Sequence, residues 1–187
     1  MVDFELTSDE IYSTAFRERG IRTFSDACTF IHELPYGRNA NRSDFLLVLN
    51  EEKGTCSSKH ALLASLALEN GIGQVELIVG IFMMSSETNP SLGAFFSDKS
   101  YSSIPEAHCY LNYKGERFDF TALNFDKDKI APKIVREQRI DPNQVSDWKI
   151  MIHKHYLEGW LKRNPGIELS LDELWKDREE AINLLSK

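Results

Sequence analysis

GTCSSKHALLASLALENGI, Gly54 to Ile72, is the stretch from which the rest of the chain can be read. Gly54 ends the preceding segment, Thr55 is placed to cap a helix, and Asn70-Gly71 suits a left-handed C-cap. Between them Ala61, Leu62, Leu63, Ala64, Leu66, Ala67 and Leu68 make a helix that is apolar nearly all round, the mark of a helix at a domain's centre. Only its first turn is polar: Cys56, Ser57, Ser58, Lys59 and His60. A thiol there meets outward-pointing N–H groups and the positive end of the helix dipole, both of which favour a thiolate. Free cysteines are mostly inert core residues, so Cys56 needs a base and an orienting group from elsewhere in the chain.

Working outward, Thr7 and Glu10 have capping-box spacing, and a first helix follows with Ile11, Ala15 and Phe16 inward, stopping near Gly20. A second helix is expected from Phe24 to about Glu33, halted by Pro35, with His32 as a surface or capping residue. Residues 35–44 read as loop. Phe45 to Asn50 is strand or short helix, with Ser43-Asp44 favouring helix. Val75 to Met84 reads as a buried strand. The long polar connection from Ser85 to Ile104 carries one apolar island, Ala94-Phe95-Phe96, expected to be exposed and to border the site.

Ile104 to Thr121 reads as a hairpin around Lys114-Gly115. A two-residue loop pairs Tyr113 with Glu116, Tyr110 with Asp119 and His108 with Thr121. His108 and Asp119 then share a face as diagonal neighbours, and Cys109 turns to the other. Beyond lie a strand near Lys133 to Gln138, solvated Asp126 and Asp128, and a long helix opened by Asp141-Pro142. His153 and His155 face different ways on that helix and cannot share a metal. Ser170 to Glu173 makes a second capping box, for the last helix.

A carboxylate that orients an imidazole beside a thiolate makes a nucleophile, a proton carrier and a positioning group: Cys56, His108 and Asp119. At this point the residues resemble a family. GTC opening an Ala/Leu helix that ends in ENGI, AH on a strand, and FDFT on the return strand are similar to the transglutaminase-like superfamily, over about Lys53 to Thr121. The resemblance implies an α+β fold with a papain/transglutaminase-like core: a central buried helix packed on an antiparallel sheet, with added N- and C-terminal helices. It implies Cys56, His108 and Asp119 as the triad of an acyl transferase or amide hydrolase needing no cofactor, acting on a peptide, protein or small amide. Ser57-Ser58 and Tyr110 stand where many relatives carry an aromatic and a tryptophan, which bears on the substrate pocket. Asn50 lies upstream, where papain-like enzymes often carry a glutamine for the oxyanion, and Tyr110, Phe95 and Phe96 are expected to border the substrate.

Two other readings stand beside this one. A scaffold could keep the fold without turnover, and Cys56 with His60 four residues on could begin a metal site completed by His108, Cys109 or Asp119. The length of 187 residues fits a single domain, core about 44–140 with a helical extension over 141–187. A net charge of −7 argues against nucleic-acid or membrane binding as the main role. Three cysteines without scaffold spacing, and an acidic N-terminus unlike a signal peptide, point to the cytoplasm.

Overall fold

A computed structural model describes residues 1–123 and 125–185. The end of the expected helical extension, 186–187, lies outside the described residues. The chain is α+β, with eight α-helices and four strands among the described residues. In order these are α1 (Ile11–Glu18), α2 (Phe24–Glu33), α3 (Leu46–Asn50), α4 (Cys56–Glu69), β1 (Val75–Ser85), α5 (Gly93–Ser97), β2 (Ser103–Tyr113), β3 (Glu116–Phe118), α6 (Lys127–Ile130), β4 (Ile134–Ile140), α7 (Asp147–Arg163) and α8 (Leu171–Leu185). The strands form one antiparallel sheet of order β3-β2-β1-β4. None of the described helices is long and apolar enough to cross a membrane.

The chain divides into two compact units, each discontinuous in sequence. The first comprises Met1–Val79, Cys109–Phe125 and Gln138–Ser146. Its centre is α4, against which α1, α2, α3 and the 3-10 turn Pro142–Val145 pack. Leu62, Leu63 and Leu66 are wholly buried, each contributing about 1.5–3 kcal/mol by leaving water. Thr55 caps α4 in a box closed by Ser58, not by an acid: Ser58 N–H donates to Thr55 Oγ1 at 3.3 Å and Thr55 N–H to Ser58 Oγ at 3.0 Å. Gly71 ends the helix at φ +76°, where a Cβ would be strained.

The capping box expected at Thr7 and Glu10 does not form, because the far end of α4 supplies the cap instead. Glu69 accepts from Tyr12 N–H (3.0 Å), Ser13 N–H (2.8 Å) and Ser13 Oγ (2.9 Å), while Asn70 Oδ1 accepts from Thr7 and Ser8 N–H. A carboxylate on the orphan N–H groups of a helix is favoured by both hydrogen bonding and the dipole. Glu69→Ala should therefore cost about 2 kcal/mol, read as a lower urea midpoint with unchanged slope. Glu69→Gln, which keeps one acceptor oxygen, should lose less.

The second unit comprises Gly80–His108, Asp126–Glu137 and Asp147–Lys187. Its α7 and α8 pack together, and α8 also meets the 3-10 turn Pro90–Leu92. Phe95 and Phe96 are not an exposed island: α5 buries both, edge to face, with Lys99 over the Phe95 ring and Tyr101 edge-on to Phe96. The long helix expected from Asp141 is interrupted. Asp141 and Gln144 box a 3-10 turn, Ser146 leaves helical geometry at ψ −115°, and α7 starts afresh at Asp147. The Ser170–Glu173 box forms as its spacing suggests. Asp126 is not idle solvated charge, since its side chain caps α6 through Lys129 N–H.

Candidate functional site

Cys56 is the first residue of α4 and is 7% exposed. The sulfur is buried but not in hydrocarbon: Ser57 Oγ lies 3.9 Å away and itself donates to Cys109 Sγ at 3.6 Å. Ser57 thus sets the head of α4 on β2 at Cys109, and His108 is the residue before Cys109 on that strand.

The hairpin register agrees with the two-residue loop. Tyr113 pairs with Glu116, Asn112 with Arg117 and Leu111 with Phe118, and the turn has both Lys114 (φ 52°) and Gly115 (φ 85°) left-handed, as a type I′ turn requires. Pairing then stops. The expected Tyr110–Asp119 and His108–Thr121 pairs do not form, because the chain leaves the strand after Phe118 into a turn closed by Asp119. Its Oδ1 accepts from Thr121 N–H at 3.0 Å and Thr121 Oγ1 at 2.6 Å. Such an Asx turn gives the backbone an alternative to the ladder.

The turn is then held by three side chains of the first unit. Phe120 N–H donates to His60 Nε2 at 2.8 Å, Lys59 Nζ donates to Thr121 O at 2.6 Å, and His32 Nε2 donates to Ala122 O at 3.1 Å. His32 is accordingly a link between α2 and this turn, not a surface cap. The His60 ring can be assigned. Its Nδ1 lies 2.7 Å from Cys56 O, a pure acceptor, so Nδ1 carries the proton; Nε2 takes the Phe120 N–H and carries none. His60 is therefore neutral and committed, although Asp119 Oδ1 is 3.6 Å from Nε2. Neither nitrogen is left for a metal or for proton transfer. Among the described residues no group of three or more His, Cys, Asp or Glu side chains could hold a metal ion.

Lys59 is the residue whose place the sequence hides. It is wholly buried, and its ammonium donates to Leu34 O, the C-cap carbonyl of α2, as well as to Thr121 O. Burial pulls its pKa down to about 8, against the raising influence of Cys56 and Asp119. Gly54 is required by the same packing, since a Cβ there would lie 2.8 Å from Lys59 Cγ.

The remaining candidates are placed as follows. His108 is 4% exposed, edge-on to Phe82 with centroids 6.1 Å apart. Tyr110 is 2% exposed under the Arg117 guanidinium. Asn50 ends α3 on the surface, where its Oδ1 accepts from Arg19 Nη2 at 3.0 Å. That makes it a link to the end of α1. Phe95 and Phe96 are core of the second unit. His153, whose spacing keeps it from sharing a metal with His155, is buried with Nε2 donating to Pro105 O at 2.8 Å.

No protein-family model matches the sequence, and no curated protein matches it. Among solved structures, one described as "Putative Cysteine Protease from Cytophaga hutchinsonii" is similar at 15% identity with a TM-score of 0.37, covering 73% of this chain and 48% of that one. The chain thus spans about half the length of the structure it matches. A likeness this distant bears on neither substrate nor mechanism.

Proposed function

We propose that the protein is a cysteine-dependent hydrolase or acyltransferase of the papain/transglutaminase-like kind, acting on an amide or thioester of a peptide, protein or small molecule. The observation that carries this reading is the head of α4. A cysteine occupies the first position of a capped, buried helix, and around the next turn of that helix are gathered a buried cation, Lys59, and a carboxylate held in a fixed turn, Asp119.

Cys56 Sγ, as a thiolate whose proton has gone to His108, attacks the carbonyl carbon, and the C=O electrons move onto oxygen. The Cys56 N–H, at the helix end where N–H groups point outward, is placed to donate to that oxyanion. His108, taken as the proton carrier from the family resemblance alone, passes its proton to the leaving nitrogen or sulfur as that bond breaks, with Asp119 as its orienting partner. A thioester acyl-enzyme remains. Water or an amine then attacks it, His108 takes the proton, and the thiolate is released.

The test is the pH dependence of alkylation at Cys56, followed by mass mapping so that Cys28 and Cys109 do not contribute. Reaction should begin well below the roughly 8.5 of an ordinary thiol, and His108→Ala should raise that midpoint. A profile that simply follows a free thiol, in the parent protein, would remove the enzyme reading. The scaffold reading would then take its place.

A further inference from the structure

Lys59 breaks two rules at once. A cation in the first turn of a helix opposes the dipole, and a lysine with no exposed surface loses its hydration. Two carbonyls compensate in part, and one of them, Leu34 O, belongs to the negative C-terminal end of α2. Carbonyls alone would be satisfied as well by a neutral donor. What distinguishes this place is where the ammonium is held: Lys59 lies three residues after Cys56 in the first turn of α4, and it donates to Thr121 O in the turn that Asp119 closes. The neighbouring His60 is neutral, and His32 Nε2 donates a hydrogen bond to Ala122 O.

Building on the reading of Cys56 as nucleophile, we propose that Lys59 is the positioning residue of this site. Its buried ammonium holds the Asp119 turn to the end of α2 through Thr121 and Leu34, and supplies the positive charge that favours Cys56 as thiolate. It transfers no proton and touches no substrate. The cation acts on the sulfur through space, adding to the helix dipole, and a histidine partner for the thiolate would act in addition.

Alkylation of Cys56 across pH separates this role from simple packing. Lys59→Met keeps the length of the side chain and removes the charge. It should move the alkylation midpoint up by about one unit, so that at pH values below the midpoint Cys56 reacts about tenfold more slowly. A merely structural lysine would lower the melting temperature and leave the midpoint in place, which would overturn the proposal while sparing the enzyme reading. An undepressed midpoint in the parent protein would overturn both. Should Lys59→Met fail to fold by circular dichroism, the coupling is measured from the other end. The Lys59 Cε resonance is titrated in the parent protein and in Cys56→Ala. Loss of the thiolate should lower the lysine midpoint, because coupling between two titrating sites is reciprocal. Equal midpoints in the two proteins would again overturn the proposal.

Discussion

Cys56→Ala should abolish turnover of amide and thioester substrates, by on the order of 10^4-fold or more, while changing stability by less than about 1 kcal/mol. The two effects separate because the side chain is small and sits at the first position of α4, where the cap is supplied by Thr55 and Ser58. Loss of the sulfur removes the only group able to form the acyl-enzyme in the proposed scheme. Asp119→Asn is the informative companion. Its amide oxygen can still accept from Thr121 N–H and Oγ1, so the turn should persist, while the charge that would stabilise an imidazolium is gone. Turnover should fall steeply with little change in unfolding. Equal activity of Cys56→Ala and the parent on every amide and thioester tried would end the nucleophile assignment.

Glu106→Ala should cost about 3–5 kcal/mol, the largest stability effect expected in the second unit. Glu106 lies on β2, 6% exposed, and accepts from Arg178 Nε at 2.7 Å and from Arg178 Nη2, with the Trp175 ring against the guanidinium at 5.2 Å. Truncating the acid leaves the Nε and Nη2 side of that buried guanidinium without a carboxylate, Glu179 on Nη1 being its other partner. Glu106→Leu combined with Arg178→Met should recover most of the loss, since no charge is then buried. The same cluster makes the protein acid-sensitive. Burial of Glu106 would raise its pKa, but Arg178, His153 and Lys149 outweigh burial and hold it down to about 2. Burial lowers His153 to about 4, against the pull of Glu106. Both folded values lie below the ordinary ones, so the unfolded chain binds more protons as pH falls. Stability should be complete above about 6.5, decline first as unfolded His153 charges, then further from about 4.5 to 2 as unfolded Glu106 protonates. The total is on the order of several kcal/mol. Urea titrations at pH 7, 5 and 4 would show it, and equal unfolding free energies at all three would contradict it.

The acid cluster and the Lys59 turn share a property that explains why neither could be read from the chain. Arg178 and Glu106, Lys59 and Thr121, and Glu69 and Tyr12 are pairs far apart in sequence, and no spacing rule connects them. In the sequence Lys59 is only one residue of a polar first turn, and its burial follows from Leu34 O and Thr121 O meeting its ammonium. Phe95 and Phe96 read as exposed because their flanks are polar, yet a single short helix is enough to turn both rings inward.

What the sequence by itself determined is everything decided within about four residues or one turn. The bounds of α2, set by Thr23 and Pro35, belong here, as do the apolar helix from Cys56 to Glu69, the register of the Lys114-Gly115 hairpin and the Ser170 box. Capping, helical period and turn chirality act through neighbouring backbone atoms, so their causes are written in order along the chain. Where β3 would stop, which carboxylate caps α1, and which cation of the first turn of α4 is buried were decided only by the tertiary structure. Those outcomes depend on desolvation and on partners brought together by the folded core, and neither exists until the core has formed.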